Sequence, residues 1–161
     1  MLNKIILASK SRVRKDILDN NNIPNEVKPS NVDEDQVKDS LVKENVTPEI
    51  ISKNLAELKA NKISLKELDR FVLGADSIID LEGELISKPI DREEAFLILK
   101  KLNGKKHYLI SSVCISKNGS MIWNHTDKAI LTMKKFSDND LKIYLSKISD
   151  EALYSYNVYQ I

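Results

Sequence analysis

A carboxylate at a strand end, a lysine brought back a short hairpin later, and hydroxyls beside an arginine are the residue types that handle phosphate, and this chain carries all three. In FVLGAD, residues 71–76, an apolar run stops at Gly74, Ala75 and Asp76. Open α/β sheets bind ligands outside the C-terminal ends of their strands, and small residues there let other groups approach the backbone. Asp76 can hold a divalent cation or orient a water; aspartate also forms turns. A short hairpin-like segment then returns a cation, Lys88, followed by Pro89.

A second candidate lies near the start. LASKSRVRK sets Ser9, Ser11 and Arg14 where a strand runs into a helix. Backbone N–H groups at a helix start, serine hydroxyls and a guanidinium fork together make a phosphate cradle, although Ser9 or Ser11 can equally be a plain helix cap. Lys59 is a further phosphate neutraliser, and Glu34 a second carboxylate for an oxygen-preferring metal ion; either can also be a solvated surface charge. His107 and Cys114 do not make a nucleophilic pair, because seven positions on an extended strand separate them by ~20 Å.

These residues need elements to hold them. KIILA reads as a buried strand, followed by a helix with Val13, Ile17 and Leu18 at helical spacing, and residues 25–29 as a second strand. NVDEDQVKDSLVKEN reads as a mobile loop entering a weak helix. Thr47-Pro48-Glu49 opens a long helix, with the threonine as N-cap and proline where its missing N–H does no harm. Its apolar stripe is expected along Ile51, Leu55, Leu58 and Lys62, with Lys59 at the edge. Asp91 and Glu94 suggest a capping box for a helix buried through Ala95, Ile98, Leu99 and Leu102 and ended by Gly104. Alternation on both sides of Asn118-Gly119 predicts a long hairpin. Ser137 and Asp140 open a last helix, and ALYSYNVYQI reads as a strand. Trp123, Tyr144 and Tyr159 are expected as core or half-buried aromatics. The resulting order, β-α-β-α-β-β-β-α-β-β-α-β, mixes crossovers with hairpins, so the expected fold is α/β with a mixed, twisted sheet flanked by helices.

Composition narrows the partners. Lys and Arg total 25 against 24 acidic residues, so any anion site must be local, and no nucleic-acid or membrane-surface partner is expected. One cysteine and two histidines cannot build a structural zinc site or a disulfide framework, and a reducing cytoplasm fits best. No stretch approaches a membrane span, and IILA is too short for a signal sequence. One domain over 1–161 is expected, without internal repeats or linkers.

Read in order, LASKS with Arg14, Val32-Asp33-Glu34, LAELKA with Lys59, Gly74-Ala75-Asp76, Lys88-Pro89, LNGKKH with His107 and LTM with Thr132 resemble the Maf family of nucleoside triphosphate pyrophosphatases over almost the whole chain. The resemblance implies a Maf and inosine triphosphate pyrophosphatase-like fold and cleavage of a nucleoside triphosphate between its α and β phosphates, with a divalent metal, Mg²⁺ or Mn²⁺. It implies Asp76 as the catalytic carboxylate and metal ligand, Glu34 as its helper at the metal, Ser9, Ser11, Arg14, Lys59 and Lys88 as phosphate ligands, and a homodimer. The chain departs from the family at its opening, where Arg12, Val13 and Arg14 stand for Pro-Arg-Arg, so that only Arg14 matches. Arg12 is a candidate substitute from another angle. Asn54 replaces an arginine before LA. Ser77 follows GAD where the family branch associated with dTTP and UTP has Thr and the 7-methyl-GTP branch has Gln, which makes it the base-selectivity candidate and tilts the choice toward pyrimidines. The resemblance also implies a further C-terminal segment beyond Tyr159-Gln160-Ile161, which this sequence lacks. The competing expectation is a catalytically weak nucleotide-binding regulator linked to cell-division arrest, motivated by Val13 and by that segment.

Overall fold

The computed structural model describes residues 4–155 and 158–159. Its elements are β1 (Ile5–Leu7), α1 (Arg12–Asn20), β2 (Asn25–Val27), α2 (Glu34–Lys43), α3 (Pro48–Ser64), β3 (Val72–Leu81), β4 (Glu84–Ile86), α4 (Arg92–Leu102), β5 (Lys106–Lys117), β6 (Ser120–Thr132), α5 (Asp138–Lys147) and α6 (Asp150–Ser155). The strands form a mixed sheet in the order β2-β1-β3-β5-β6, with β4 antiparallel to β3. The chain divides into two compact units, 1–77 with 110–127 and 78–109 with 128–161, and the divisions fall inside the three long strands β3, β5 and β6.

In the first unit β1 lies between β2 and β3 and is parallel to both. Such strands are covered on both faces and need continuous apolar runs, which IIL and the start of β3 supply. The register pairs Leu7 with Leu73. One residue past β1 the Ala8 N–H still donates to the Leu73 carbonyl, so the LAS and GAD segments run side by side. Helix α3 packs on these strands through Ala56, Ala60 and Ile63 against Ile6, Ala8 and Val72. The approach is close because position 74 is glycine: a Cβ there would stand 2.8 Å from the Ala60 nitrogen and nearer still to the Ala56 carbonyl oxygen.

In the second unit Ile79, Leu81 and Ile86 pack with Ala95, Leu99 and Leu102 of α4, Leu141 and Leu145 of α5, and Leu153 of α6. The Ser137–Asp140 capping box is complete at the start of α5. At α4 only half of the expected box forms: Asp91 accepts from the Glu94 N–H, while the Glu94 carboxylate takes the N–H of Ile90 instead.

Several expectations are corrected. Residues 34–43 are a regular helix, α2, whose Asp33 cap accepts from the Gln36 N–H. Acids in its first turn and Lys43 in its last suit the helix dipole, so the helix expected as weak, after a mobile loop, is regular from Glu34 on. The Thr47 hydroxyl makes no capping bond. The buried face of α3 is Ile51, Ser52, Leu55, Ala56, Lys59, Ala60 and Ile63, while Ile50 and Leu58 are exposed. Residues 150–155 form helix α6 rather than a strand, begun by Ser149, whose hydroxyl accepts from the Ala152 N–H. In the rest of the expected terminal strand Val158 is a bridge residue, and residues 156–157 and 160–161 lie outside the described residues. Of the two alternatives expected for the aromatics, Trp123 and Tyr144, at 49% and 38% exposed, follow the half-buried one rather than the core one.

Candidate active site

The first unit concentrates the expected chemistry just past the end of β1 and in the middle of β3. The strand expected to stop at Asp76 runs on to Leu81, so the carboxylate is a mid-strand residue, and what was expected as a strand followed by a hairpin is one long strand paired with β4. Ser11 is the N-cap of α1, its hydroxyl accepting from the Arg14 N–H. Ser9 Oγ accepts from the Ser11 N–H at 3.2 Å and from Arg14 Nη1 at 3.0 Å. Both serines therefore do what caps do, and they also aim the guanidinium. Burial lowers the Arg14 pKa, against the opposing charges of Asp76 and Glu34.

Asp76 is 3% exposed. It is buried because β3 is covered on both faces, and its backbone carbonyl accepts from Ser52 Oγ of α3 at 3.3 Å. Lys59 comes from the same buried face of α3, its stem running through the packed interface before the ammonium meets the middle of β3. Its Nζ donates to Asp76 Oδ1 at 2.8 Å and to the Ala75 carbonyl at 3.3 Å, and forms an ion pair with Glu34 Oε1 at 2.9 Å. An ammonium has three donors, and three protein oxygens face this one.

The second Asp76 oxygen is different. Among the described residues, Oδ2 is buried without a hydrogen-bond partner. Burial pushes the Asp76 carboxyl above its ordinary range; the charge and hydrogen bond of Lys59 and the charge of Lys38 oppose that rise, and Glu34 adds to it. A desolvated carboxylate with an open lone pair either accepts a proton more readily than a solvated one or takes a cation. Glu34, at the first position of α2 and 35% exposed, supplies the second carboxylate.

The donor set suits a hard cation of the magnesium type, which takes one or two carboxylates and fills its remaining positions with water and substrate phosphates. Among the described residues no group of three or more His, Cys, Asp or Glu is positioned to hold a metal by itself.

Ser9, Ser11, Arg14, Glu34, Lys59 and Asp76 thus belong to one cluster. Ser77 is the next residue on β3; it is exposed and its hydroxyl lies 3.0 Å from that of Ser111. Lys88 is an exposed residue of the second unit, past the end of β4. Arg12, the candidate substitute, is exposed and paired with Asp16 at 3.9 Å. Sequence reasoning missed Lys38, on α2 one turn beyond Glu34 and 4.0 Å from its carboxylate. The signal was available: a Glu with a Lys four residues later is a helical pair, but only once residues 34–43 are read as a helix.

The family model described as Maf-like protein matches residues 4–160. A nucleoside triphosphate pyrophosphatase of Pelagibacter ubique (strain HTCC1062) is 70% identical over 161 residues, which is 100% of this chain and 83% of that protein. A nucleoside triphosphate pyrophosphatase of Ruegeria pomeroyi is 37% identical over 157 residues, 98% of this chain and 79% of that one. A 7-methyl-GTP pyrophosphatase of Brucella abortus biovar 1 is 35% identical over 158 residues, again 98% and 79%. Among solved structures, a HAM1 protein from Coxiella burnetii aligns with a TM-score of 0.47 at 13% identity, over 80% of this chain and 71% of that one.

Proposed function

The chain belongs to the Maf-like protein family, and from that premise we propose that it is a nucleoside triphosphate pyrophosphatase, a hydrolase that cleaves between the α and β phosphates and releases a nucleoside monophosphate and pyrophosphate. The observation that carries the reading to particular residues is the buried Asp76 carboxylate, with one oxygen fixed by Lys59 and the other left open.

Phosphoryl transfer asks a protein mainly to place a water in line and to stabilise charge on the phosphate oxygens. Asp76 and Glu34 would hold a divalent cation, Mg²⁺ or Mn²⁺, which when bound neutralises phosphate charge. Lys59 holds both carboxylates in one orientation and so pre-sets the site. Asp76 Oδ2 is the acceptor that orients the attacking water or meets the cation. Arg14, steered by Ser9, and the N–H groups at the start of α1 would bind phosphate oxygens, with Ser11 at the cap. Lys88 is proposed as a phosphate ligand on its match to the family's Lys-Pro alone. Ser77, paired with Ser111, is proposed to contribute to base selection, and its short hydroxyl favours the pyrimidine triphosphates dTTP and UTP. We place the reaction in the cytoplasm and the enzyme in a homodimer; no helix among the described residues is long and apolar enough to cross a membrane.

The test is to incubate the protein with Mg²⁺ or Mn²⁺ and a panel of ordinary and methylated triphosphates, and to separate the products by chromatography. Monophosphate plus pyrophosphate is expected, and Asp76→Asn should abolish their release while keeping the circular dichroism spectrum. Diphosphate plus orthophosphate would refute the bond assignment; full activity in Asp76→Asn would refute the assigned acid.

A further inference from the structure

We infer that Lys38 is a substrate ligand, its ammonium group binding the phosphate chain of the triphosphate beside Glu34; the inference rests on the reading of the site given above. Lys59 was expected in that role, but its three donors face Asp76 Oδ1, Glu34 Oε1 and the Ala75 carbonyl oxygen. An ammonium so committed orders the carboxylates and has no further N–H to offer a phosphate oxygen.

Lys38 is placed differently. It stands one helical turn after Glu34, with Nζ 4.0 Å from Oε2, outside hydrogen-bond range. Its side chain is only 16% exposed. Surface pairs at the same spacing on α1 keep their cations in water: the lysine of Lys15–Asp19 is 46% exposed and the arginine of Arg12–Asp16 is 77% exposed. Lys38 is instead mostly buried beside Glu34, and its charge reaches the buried Asp76.

The charge count points the same way. Arg14 and Lys59 balance Asp76 and Glu34, so those four groups are neutral together. Lys38 makes the cluster three cations against two carboxylates, one net positive charge. That surplus draws a polyanion toward a cluster that would otherwise carry no net charge. A lysine is suited to the task, since it meets phosphate as a mobile point charge.

The experiment compares wild type, Lys38→Gln and Lys38→Arg. Steady-state kinetics with Mg²⁺ and a triphosphate should show KM raised about tenfold in Lys38→Gln, kcat within about twofold, and most of the loss restored in Lys38→Arg, as expected when one charge-assisted contact is removed and then replaced. Calorimetry with inorganic pyrophosphate and Mg²⁺, which needs no turnover, should show the same tenfold weakening. A helix-stabilising role would move the urea midpoint and leave pyrophosphate affinity alone. Equal pyrophosphate affinity in wild type and Lys38→Gln, absence of pyrophosphate binding by the wild type, or an arginine variant no better than glutamine would each overturn the inference. Wild-type protein that binds pyrophosphate and triphosphate yet releases no pyrophosphate would instead overturn the assigned reaction and leave Lys38 as a phosphate ligand.

Discussion

Gly74→Ala tests whether the close contact of α3 and β3 is what assembles the site. The added Cβ would sit 2.8 Å from the Ala60 nitrogen and 3.0 Å from the Ala60 Cβ, with the Ala56 carbonyl oxygen closer than either. Two of these three neighbours are helix backbone, which cannot rotate aside as a side chain would, so the helix and the strand must separate. Overpacking of this kind costs about 1–3 kcal/mol, and rigid neighbours place this case near the top of that range. In a 161-residue chain about 3 kcal/mol lowers Tm by roughly 6–12 °C. The functional consequence is larger, because Lys59 is anchored one residue before Ala60 and Asp76 two residues after Gly74. Separating the elements lengthens the 2.8 Å contact between Lys59 and Asp76 Oδ1, and misplacing a catalytic group by about 1 Å can cost ~100-fold in rate. The assay is urea unfolding with pyrophosphate release measured on the same preparation. Gly83→Ala is the control: at φ +90 with nothing within 4 Å, it carries the backbone penalty of about 1–2 kcal/mol alone. A Gly74→Ala protein with an unchanged midpoint and wild-type kcat would refute the reasoning.

Lys59→Met removes the cation that joins the two carboxylates, leaving buried Asp76 without its partner. A loss of about 3–5 kcal/mol in unfolding free energy is expected, with kcat reduced at every pH, and an unaltered midpoint would contradict the pairing. Ser11→Ala should cost about 1 kcal/mol as a lost N-cap and also raise KM, because the Arg14 N–H loses its acceptor; urea titration and kinetics read the two effects separately. His107 is 3% exposed, and burial lowers its pKa from the ordinary 6.5. The unfolded chain therefore takes up a proton as pH falls through 6.5 while the folded chain does not, so stability present above pH 6.5 is lost on acidification, by at most about 1.4 kcal/mol per pH unit. Unfolding free energies at pH 7.5, 6.5 and 5.5 should fall less steeply for His107→Gln than for wild type, and identical slopes would exclude this histidine as the source.

The pieces of the site were legible because each is a local pattern: a strand running into a capped helix at LASKSR, and a buried strand carrying GAD. That the strand continues to Leu81 was not, since small and acidic residues in its middle look like a strand end. What the local pattern could not supply was adjacency. Ser9 and Asp76 come together because β1 and β3 are parallel neighbours in a register that pairs Leu7 with Leu73, and nothing within either segment specifies that pairing. The face of α3 was misread for a related reason. Counting large apolar residues favours Ile51, Leu55 and Leu58, whereas the buried side also includes Ser52, Ala56 and Ala60, small residues that become interior because a glycine strand lies against them. That rotation moves Lys59 from the margin of the helix to the middle of its buried face. The start of the terminal segment, residues 152–155, failed on composition: tyrosine and leucine suggested a strand, but the serine at 149 with acids at 150 and 151 is a helix start.

The open oxygen of Asp76 separates a structural reading of the cluster from a functional one. A carboxylate buried to support the fold is most stable when both oxygens are paired, since an unmet buried acceptor costs about 1–3 kcal/mol. The fold had a donor near at hand: the Ser52 hydroxyl, one turn and three residues before Lys59, donates to the backbone carbonyl of Asp76 and not to its side chain. Three cations surround the cluster, yet the one in hydrogen-bond contact with Asp76 meets Oδ1. Departures from local satisfaction that a protein keeps in its core are expected where something outside the chain completes them. A divalent cation brought by a triphosphate would supply at Oδ2 the positive charge the protein withholds. The stability gained on adding Mg²⁺ with a non-hydrolysable triphosphate should therefore exceed the sum of the gains from each alone, as a linked-binding scheme requires. In Asp76→Asn that excess should vanish, and an excess that survived would place the cation elsewhere.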